Sequence, residues 1–391
     1  MPIIETVNRR PGVPRLLREL NDRAAFDLLL ADGPMTRTQL GSATGLSKVT
    51  AAQMLGRLEE RGLVEQVGTQ SGARGPNAAL YAIVPSAGYV AGLEVGPRQV
   101  HAGIADITGT VRAEATVALD REDDPVRAVR RAIAVAGEQA GVGAAQLRAA
   151  VVGTPGVIDP RTGDLEFAFD LPAWRSGLRA GLTTELDCRV EIENDVNLVA
   201  VAEHTDGVAR GVDDFALVWA ERGVGLAMVI GGRLHRGHSG FAGEIGYLPV
   251  PGVPLASDVQ RVPGQLPSVS GGLQHLVSEQ AIGDLAGRHG ASGETAAEWF
   301  ATAGDDLLTE VAERYALGVT SVCVILDPSM VVLAGPVSQA GGDKLAERVE
   351  EAVGRISLVR PTVRSAGIPV SPALRGAVAT AAARARELLF A

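Results

Sequence analysis

Residues 45–82, GLSKVTAAQMLGRLEERGLVEQVGTQSGARGPNAALYA, constrain the fold more than any other stretch of this chain. They read as helix, turn, strand, basic glycine-containing loop, strand. Ser47 is a good helix N-cap after the Gly45-Leu46 turn. Ala51, Met54, Leu55 and Leu58 recur at helical spacing, so one stripe faces a core. Lys48, Val49, Ala52, Gln53 and Arg57 then share the opposite face. That face is short and carries only two charges, both basic, which suits a helix entering the major groove between phosphate backbones. Upstream, Thr36 and Gln39 have the spacing of a capping box, with Arg37 opening the helix between them. Val64–Val67 and Ala79–Ile83 read as strands, joined by a loop over 69–77 with Arg74 as its only cation. Helix, turn, helix and wing in this order predict a winged helix-turn-helix, a reader of double-stranded DNA. A plain helical domain with an ordinary hairpin does not account for the order and lengths together. The expected DNA contacts are Arg37, Ser47, Lys48, Val49, Thr50, Gln53, Arg57 and Arg74. Dimeric heads would read an operator of two half-sites, with Arg74 entering a narrow A·T-rich minor groove at its flanks.

Charge separates this head from the rest of the chain. Residues 1–85 hold 10 Lys+Arg and 8 Asp+Glu, a balance of +2; the remaining 26 and 38 give −12, recovering the net −10. Nucleic acid is therefore expected to meet only the head. The chain has two cysteines, Cys188 and Cys323, too few and too far apart for a disulfide framework or a cysteine zinc site. No stretch has the length and apolarity of a membrane span, and the first residues lack a secretory apolar run, so a cytoplasmic protein is expected. Residues 1–14, with three prolines and two adjacent arginines, read as a flexible arm, and 15–84 as the DNA-binding domain. The joint to the body falls at the Pro/Gly stretch Val84–Gly88.

The body alternates strands and helices. Tyr89–Gly96 and Gln99–Asp106 read as a hairpin, Pro125–Ala140 as an amphipathic helix, and Ala149–Asp159 as a buried strand with a tight turn. Arg189–Asp195 enters a further helix. Phe215–Trp219, Gly225–Ile230 and Met330–Ala334 are further strands. This is an α/β body with mixed sheets.

Four stretches carry a resemblance: VVGTPGVIDPRTG at 151–163, LPAW at 171–174, ENDVNLVAVAE at 193–203 and GRLHRGHSGFAGEIG at 232–246. With them the chain resembles the ROK family, which joins bacterial sugar-responsive repressors and sugar kinases. The DNA-binding head matches the repressor branch. The resemblance implies a two-lobed, actin-like sugar-kinase fold over 85–391. Lobe one is placed at about 85–203 plus the C-terminal helix, and lobe two at about 204–372, with sugar in the cleft between them. It further implies that Gly153, Thr154, Pro155, Asn194, Asp195, Glu244 and Tyr247 surround the effector.

The resemblance also makes kinase chemistry testable by residue. Asp195 occupies the place of the family's catalytic base. The first phosphate motif, Asp-x-Gly-Gly-Thr in the kinases, is here Glu94-Val-Gly-Pro-Arg98, and Pro97 removes a backbone donor. The second, Gly-Thr-Gly-x-Gly, is Glu221-Arg-Gly-Val-Gly225, where a carboxylate faces the phosphate place. The adenosine-side Gly-Gly is Gly335-Pro336. No catalytic residue and no cofactor are therefore expected. A structural zinc is not expected either. Tyr247 stands where the family has a metal-binding His, and Leu255–Gln274, the cysteine stretch of relatives, has no cysteine. His235 and His238 are read as surface polar residues, and Gln274 as the counterpart of a sugar-contacting Glu. The resulting expectation is a DNA-binding regulator of the repressor type, a homodimer or homotetramer controlled by a sugar or sugar-derived effector. Two alternatives stay open: an ATP-dependent sugar kinase with an appended DNA module, and a regulator whose cleft is vestigial.

Overall fold

The computed structural model describes residues 14–70, 77–120, 123–168, 171, 174, 177–256 and 271–390. The chain folds as two compact units: Met1–Tyr89 with Asp106–Thr110 and Ala382–Ala391, and Val90–Ala105 with Val111–Ala381.

In the first unit, α1 (Pro14–Asp32) is followed by β1 (Met35–Thr36), α2 (Arg37–Thr44), α3 (Lys48–Glu60), β2 (Val64–Gln70) and β3 (Ala78–Ile83). Local chemistry sets these boundaries. The Thr36–Gln39 capping box closes in both directions, the Thr36 N–H donating to Gln39 Oε1 at 2.7 Å. Gly45 takes the left-handed conformation (φ 70°) that ends α2 and starts the turn, a backbone state that disfavours a side chain. The Ser47 hydroxyl accepts from the Thr50 N–H at 3.2 Å and caps α3. Ala51, Met54, Leu55 and Leu58 are buried with Phe26, Leu29 and Leu40, as the helical spacing predicts. Each large apolar side chain removed from water there contributes about 1.5–3 kcal/mol. The sheet order is β1-β3-β2, with both pairings antiparallel. Pro14–Asp32 forms one helix. One detail is absent from the sequence reading: the two-residue strand β1 pairs Met35 with Tyr81. A strand that short carries no period-2 signal of its own.

The second unit holds two five-stranded sheets. The first has the order β10-β7-β4-β5-β6, from β4 (Tyr89–Val95), β5 (Gln99–Asp106), β6 (Val111–Ala118), β7 (Leu147–Thr154) and β10 (Arg189–Asn194). A separate ribbon pairs β8 (Val157–Asp159) with β9 (Asp164–Phe167). Helix α4 (Pro125–Ala140) lies between β6 and β7 and α5 (Leu178–Leu186) between β9 and β10, while α6 (Asp195–Thr205) leads from β10 to the second sheet. Ala149–Val152 is wholly buried, as expected where β7 runs parallel to β10 inside a covered sheet. The second sheet has the order β13-β12-β11-β14-β15, from β11 (Phe215–Ala220), β12 (Val224–Ile230), β13 (Arg233–Leu234), β14 (Met330–Ala334) and β15 (Thr362–Ser365). Helices α7 (Gln274–Val277), α8 (Glu279–Arg288), α9 (Ala296–Leu326) and α10 (Pro336–Ile356) accompany it, and α11 (Pro372–Leu389) comes last. Its core joins Val218, Ile282, Val311, Tyr315, Leu333 and Val349.

The buried run expected over 149–159 proves to be two elements, because the Thr154–Val157 turn breaks it into β7 and β8. Strand β6 escaped the sequence reading: its exposed residues alternate with only one fully buried position, Ala115.

Candidate functional site

In the first unit, α3 presents Lys48, Val49 and Gln53 to solvent, and Val49 is 68% exposed although apolar. Arg37 is exposed at the start of α2. Thr50 is half-buried, and its hydroxyl lies 2.9 Å from the Ser47 hydroxyl. Ser47 thus holds the helix start as well as facing out. Arg57 behaves differently from its neighbours on the helix wheel. Its Nε donates to Asp22 Oδ2 at 3.0 Å and its Nη2 to Asp22 Oδ1. That hydrogen-bonded partner raises its pKa above the usual arginine value. The Asp22 carboxylate is 6% exposed, so Arg57 braces α3 against α1 and its fork is occupied. Helix periodicity identified an outward face but could not see the carboxylate waiting on another helix. Arg74 lies outside the described residues.

In the second unit, a cavity of about 1220 Å³ is lined by Pro155, Gly156, Asn194, Asp195, Glu244 and Tyr247, together with Trp219, Glu221, Arg222 and Gln274. Five of the seven predicted effector residues therefore line the same cavity. Gly153 and Thr154 do not reach it. Both are buried, and a Cβ on Gly153 would lie 2.6 Å from Leu198 Cδ1. The absent side chain at Gly153 lets β7 pack against Leu198 of α6. Asn194 lines the cavity but is already engaged: its Oδ1 caps the Asn197 N–H at 3.2 Å and its Nδ2 donates to Gly156 O at 3.0 Å. It shapes the turn as much as it offers a ligand.

The acidic side chains stand away from their ordinary ionisation. Protein crowds the carboxyl of Asp195, although the residue keeps some accessible surface, and this burial lifts its pKa to about 6. Repulsion from Glu221 adds to the shift, while the Val196 N–H and Arg222 oppose it. Burial likewise lifts Glu244 to about 7, with Asp195 adding repulsion. Glu94 also rises to about 7 by burial, then by Asp195 and Glu221, against the N–H of Leu374. These carboxylates are held partly desolvated before any ligand arrives, which suits replacement of water by convergent hydroxyl groups.

Sequence reasoning missed the network that fixes this site. Glu193, 7% exposed, accepts from the Asn194 N–H at 3.0 Å, from Asn197 Nδ2 at 2.8 Å and from Arg236 Nε at 2.8 Å. One buried carboxylate thereby ties the start of α6, where Asp195 sits, to the loop that carries Glu244. Its signal was present in the Glu-Asn-Asp run, but the partner lies 43 residues away. Gln274, read as the counterpart of a sugar-contacting Glu, lines the cavity and also clamps a turn: its Oε1 accepts from Val224 N at 2.8 Å and its Nε2 donates to Arg222 O at 2.5 Å. It fixes the Glu221–Gly225 turn. The donors for a structural zinc do not fit: the position of the metal-binding His holds Tyr247, and the cysteines stand at 188 and 323. Residues 257–270 lie outside the described set.

Fold and site together define a winged DNA-binding head on a sugar-kinase-like α/β body. The ROK family model matches residues 90–383 and a MarR family model residues 9–75. The chain belongs to the ROK family, with a MarR-type winged helix at its N-terminal side. It is 26% identical over 237 residues to the Escherichia coli K12 DNA-binding transcriptional dual regulator NagC, covering 60% of this chain and 58% of that protein. It thus spans less than two thirds of that relative. A xylose repressor of Caldicellulosiruptor bescii is 23% identical over 378 residues, covering 89% of this chain and 90% of its own. Among solved structures, a ROK family transcriptional regulator homologous to the E. coli MLC protein superposes with a TM-score of 0.73 at 17% identity, over 96% of this chain and 98% of that one. A ROK hexokinase from Thermus thermophilus matches with a TM-score of 0.61 at 27% identity, over 76% and 99%.

Proposed function

We propose that this chain is a sugar-responsive transcriptional repressor. The observation that carries the reading is the coexistence, in one chain, of an exposed, capped recognition helix and a cavity walled by Asp195, Glu244 and Asn194. The head reads double-stranded DNA through Lys48, Val49, Thr50 and Gln53, with Arg37 on phosphate and Arg74 at an A·T-rich flank. A homodimer or homotetramer presents two heads to two half-sites, and a sugar or sugar-derived effector in the cavity shifts their readiness to bind. Repression by sugar-linked relatives such as the xylose repressor supports this direction. The protein acts in the cytoplasm, where the operator is; among the described residues no helix is long and apolar enough to cross a membrane.

The cleft does not phosphorylate sugar. Pro97 withholds a backbone donor, Glu221 sets a carboxylate at the phosphate turn and Pro336 replaces the second glycine. Asp195 then serves as a hydroxyl acceptor and not as a base. The kinase reading draws on the hexokinase-like fold and is decided by one assay: ADP release with a panel of hexoses, pentoses and amino sugars. Sugar-dependent ADP above the no-enzyme rate would overturn the regulator-only reading. Genome-wide DNA occupancy tests the head, and the bound genes would indicate the effector. An absence of discrete bound sites would overturn the repressor assignment.

A further inference from the structure

The cavity of the second unit has more room than one sugar ring fills. Its volume of about 1220 Å³ exceeds the roughly 300–1,000 Å³ of pockets that enclose a drug-sized ligand. Two parts of its lining differ in origin. One is acidic: Asn194 and Asp195 at the start of α6, with Glu244 on its loop. The other comes from α8 and from Trp299 in the first turn of α9. The turn over 221–226 is tied to both. The Leu226 N–H donates to Gly243 O at 2.8 Å, beside Glu244, and the Glu279 N–H at the start of α8 donates to Glu221 O at 2.9 Å. A Cβ on Gly225 would lie 3.1 Å from Val196 Cγ2, so the same turn also sits close against α6. Hydrogen-bonded backbone therefore sets the spacing of the two parts.

The second part has the chemistry of a stacking platform. Trp299 is half-buried, and its Nε1 donates to Gly293 O at 3.0 Å. Its ring rests on Gly283 of α8, where an added Cβ would lie 3.0 Å from Cη2. With its N–H engaged and its orientation fixed, the indole offers the cavity only apolar surface. Ala281 and Gly283 line the same part and leave space beside the ring. Charge then selects the occupant. Glu279, Asp284 and Glu294 bring three carboxylates, and Arg288 and Arg314 two guanidiniums. Both cations already serve the protein. Arg314 donates to Glu310 at 3.0 Å and to Leu276 O at 3.3 Å, and Arg288 donates to Asp284 O at 3.2 Å. A phosphate placed there meets like charge, whereas hydroxyl groups meet acceptors.

We infer that the effector is an oligosaccharide or glycoside of at least two rings, without phosphate or carboxylate, whose first ring meets Asp195 and Glu244 and whose second lies on Trp299. The inference rests on reading the cavity as the sensing site, and names the class of effector. A pyranose carries C–H groups on its faces and hydroxyls around its edge. An indole surface with Glu279 and Asp284 in the same lining complements both features.

Titration calorimetry on the full chain, free of DNA, tests this with maltose, cellobiose, lactose, trehalose, xylobiose and diacetylchitobiose. The comparison set is glucose, galactose, xylose, N-acetylglucosamine and glucose 6-phosphate. The tightest disaccharide should bind at least about tenfold more tightly than any monosaccharide, since the second ring adds contacts to a site already formed. Trp299→Ala should weaken that disaccharide by about three- to tenfold and leave monosaccharide binding unchanged. Trp299→Phe should recover part of the loss. Ala281→Leu keeps Trp299 and suits a helix; by filling the second part it should weaken the disaccharide alone. Asp195→Ala should weaken both sugar lengths. The inference is overturned if a monosaccharide binds as tightly as every disaccharide, or if glucose 6-phosphate binds tightest. It is also overturned if Trp299→Ala and Ala281→Leu weaken both sugar lengths alike. In each of these cases a sugar still binds, and the sensing role of the cavity stands. Binding by no sugar of either length would overturn that role, and this inference with it.

Discussion

Helix α3 and the acidic cavity hold their polar side chains in opposite ways. On α3, Lys48, Val49 and Gln53 stay exposed to water, and the fold asks nothing of them. In the second unit, burial withdraws Asp195, Glu244 and Glu94 from water and lifts all three pKa values, with repulsion from Asp195 adding at Glu244 and Glu94 and from Glu221 at Asp195. The head can therefore lose an outward side chain with little effect on folding. The cavity holds carboxylates at a cost to stability, and that cost is offset only by ligand or proton. Arg57 marks the border between the two regimes, since it sits on α3 but its guanidinium is tied to the buried carboxylate of Asp22.

The strongest test of that contrast is Arg57→Ala. Removing one partner from a pair whose carboxylate is 6% exposed should destabilise the head by about 3 kcal/mol. Thermal or urea unfolding followed in the head would show it. Asp22→Asn should also destabilise the head, without taking away any cation that faces DNA. A fully stable Arg57→Ala protein with weakened DNA binding would return Arg57 to the recognition surface.

Next come Asp195→Ala and Glu244→Ala. Each should leave hydroxyl groups of a bound sugar unpaired and weaken effector affinity by about 1–3 kcal/mol, roughly ten- to a hundredfold. DNA binding without effector should persist. Reporter assays in cells given the physiological inducer would read repression that no longer lifts. Wild-type induction by both variants would make the cavity a relic and move control elsewhere.

Glu244→Gln sharpens the energetic half of the contrast. The folded-state pKa, about 7, lies above the ordinary 4.5, so the native state holds a proton that the unfolded chain has released. Stability from this group is accordingly intact at pH 4, falls as pH rises between about 4.5 and 7, and stays reduced above that. The amide should thus raise stability by about 1–2 kcal/mol at pH 8 and by nothing at pH 4. Melting curves at both pH values decide it; a gain of equal size at both would assign the effect to packing. Smallest is Lys48→Ala, which should leave stability unchanged. It should reduce the logarithmic salt dependence of DNA binding by about one phosphate contact. An unaltered slope in a salt titration would take Lys48 off the DNA.

The head was legible because its information is local. Thr36, Gln39, Gly45 and Ser47 each act within four residues, and the Ala51–Leu58 stripe needs only helical spacing to declare its buried face. Strands β11, β12 and β14 were visible as apolar runs for the same reason. The cavity was legible only in part. Resemblance to known family motifs singled out Asn194, Asp195 and Glu244, but nothing in the local pattern showed that Gly153 and Thr154 do not reach the cavity. Nor did it show that Gln274 holds a turn.

The sequence by itself determined the elements of the head, the acidic balance of the body and its membership of a repressor-and-kinase family, since caps, periodicities and motifs are short-range properties. Tertiary structure alone decided which charges are committed. Asp22 takes Arg57 from 35 residues away, and Glu193 takes Arg236 from 43. Asp195 raises Glu94 and Glu244 only once strands and a helix start bring them together. Electrostatic energy depends on distance and on exclusion of water, and neither is written in the order of residues along the chain.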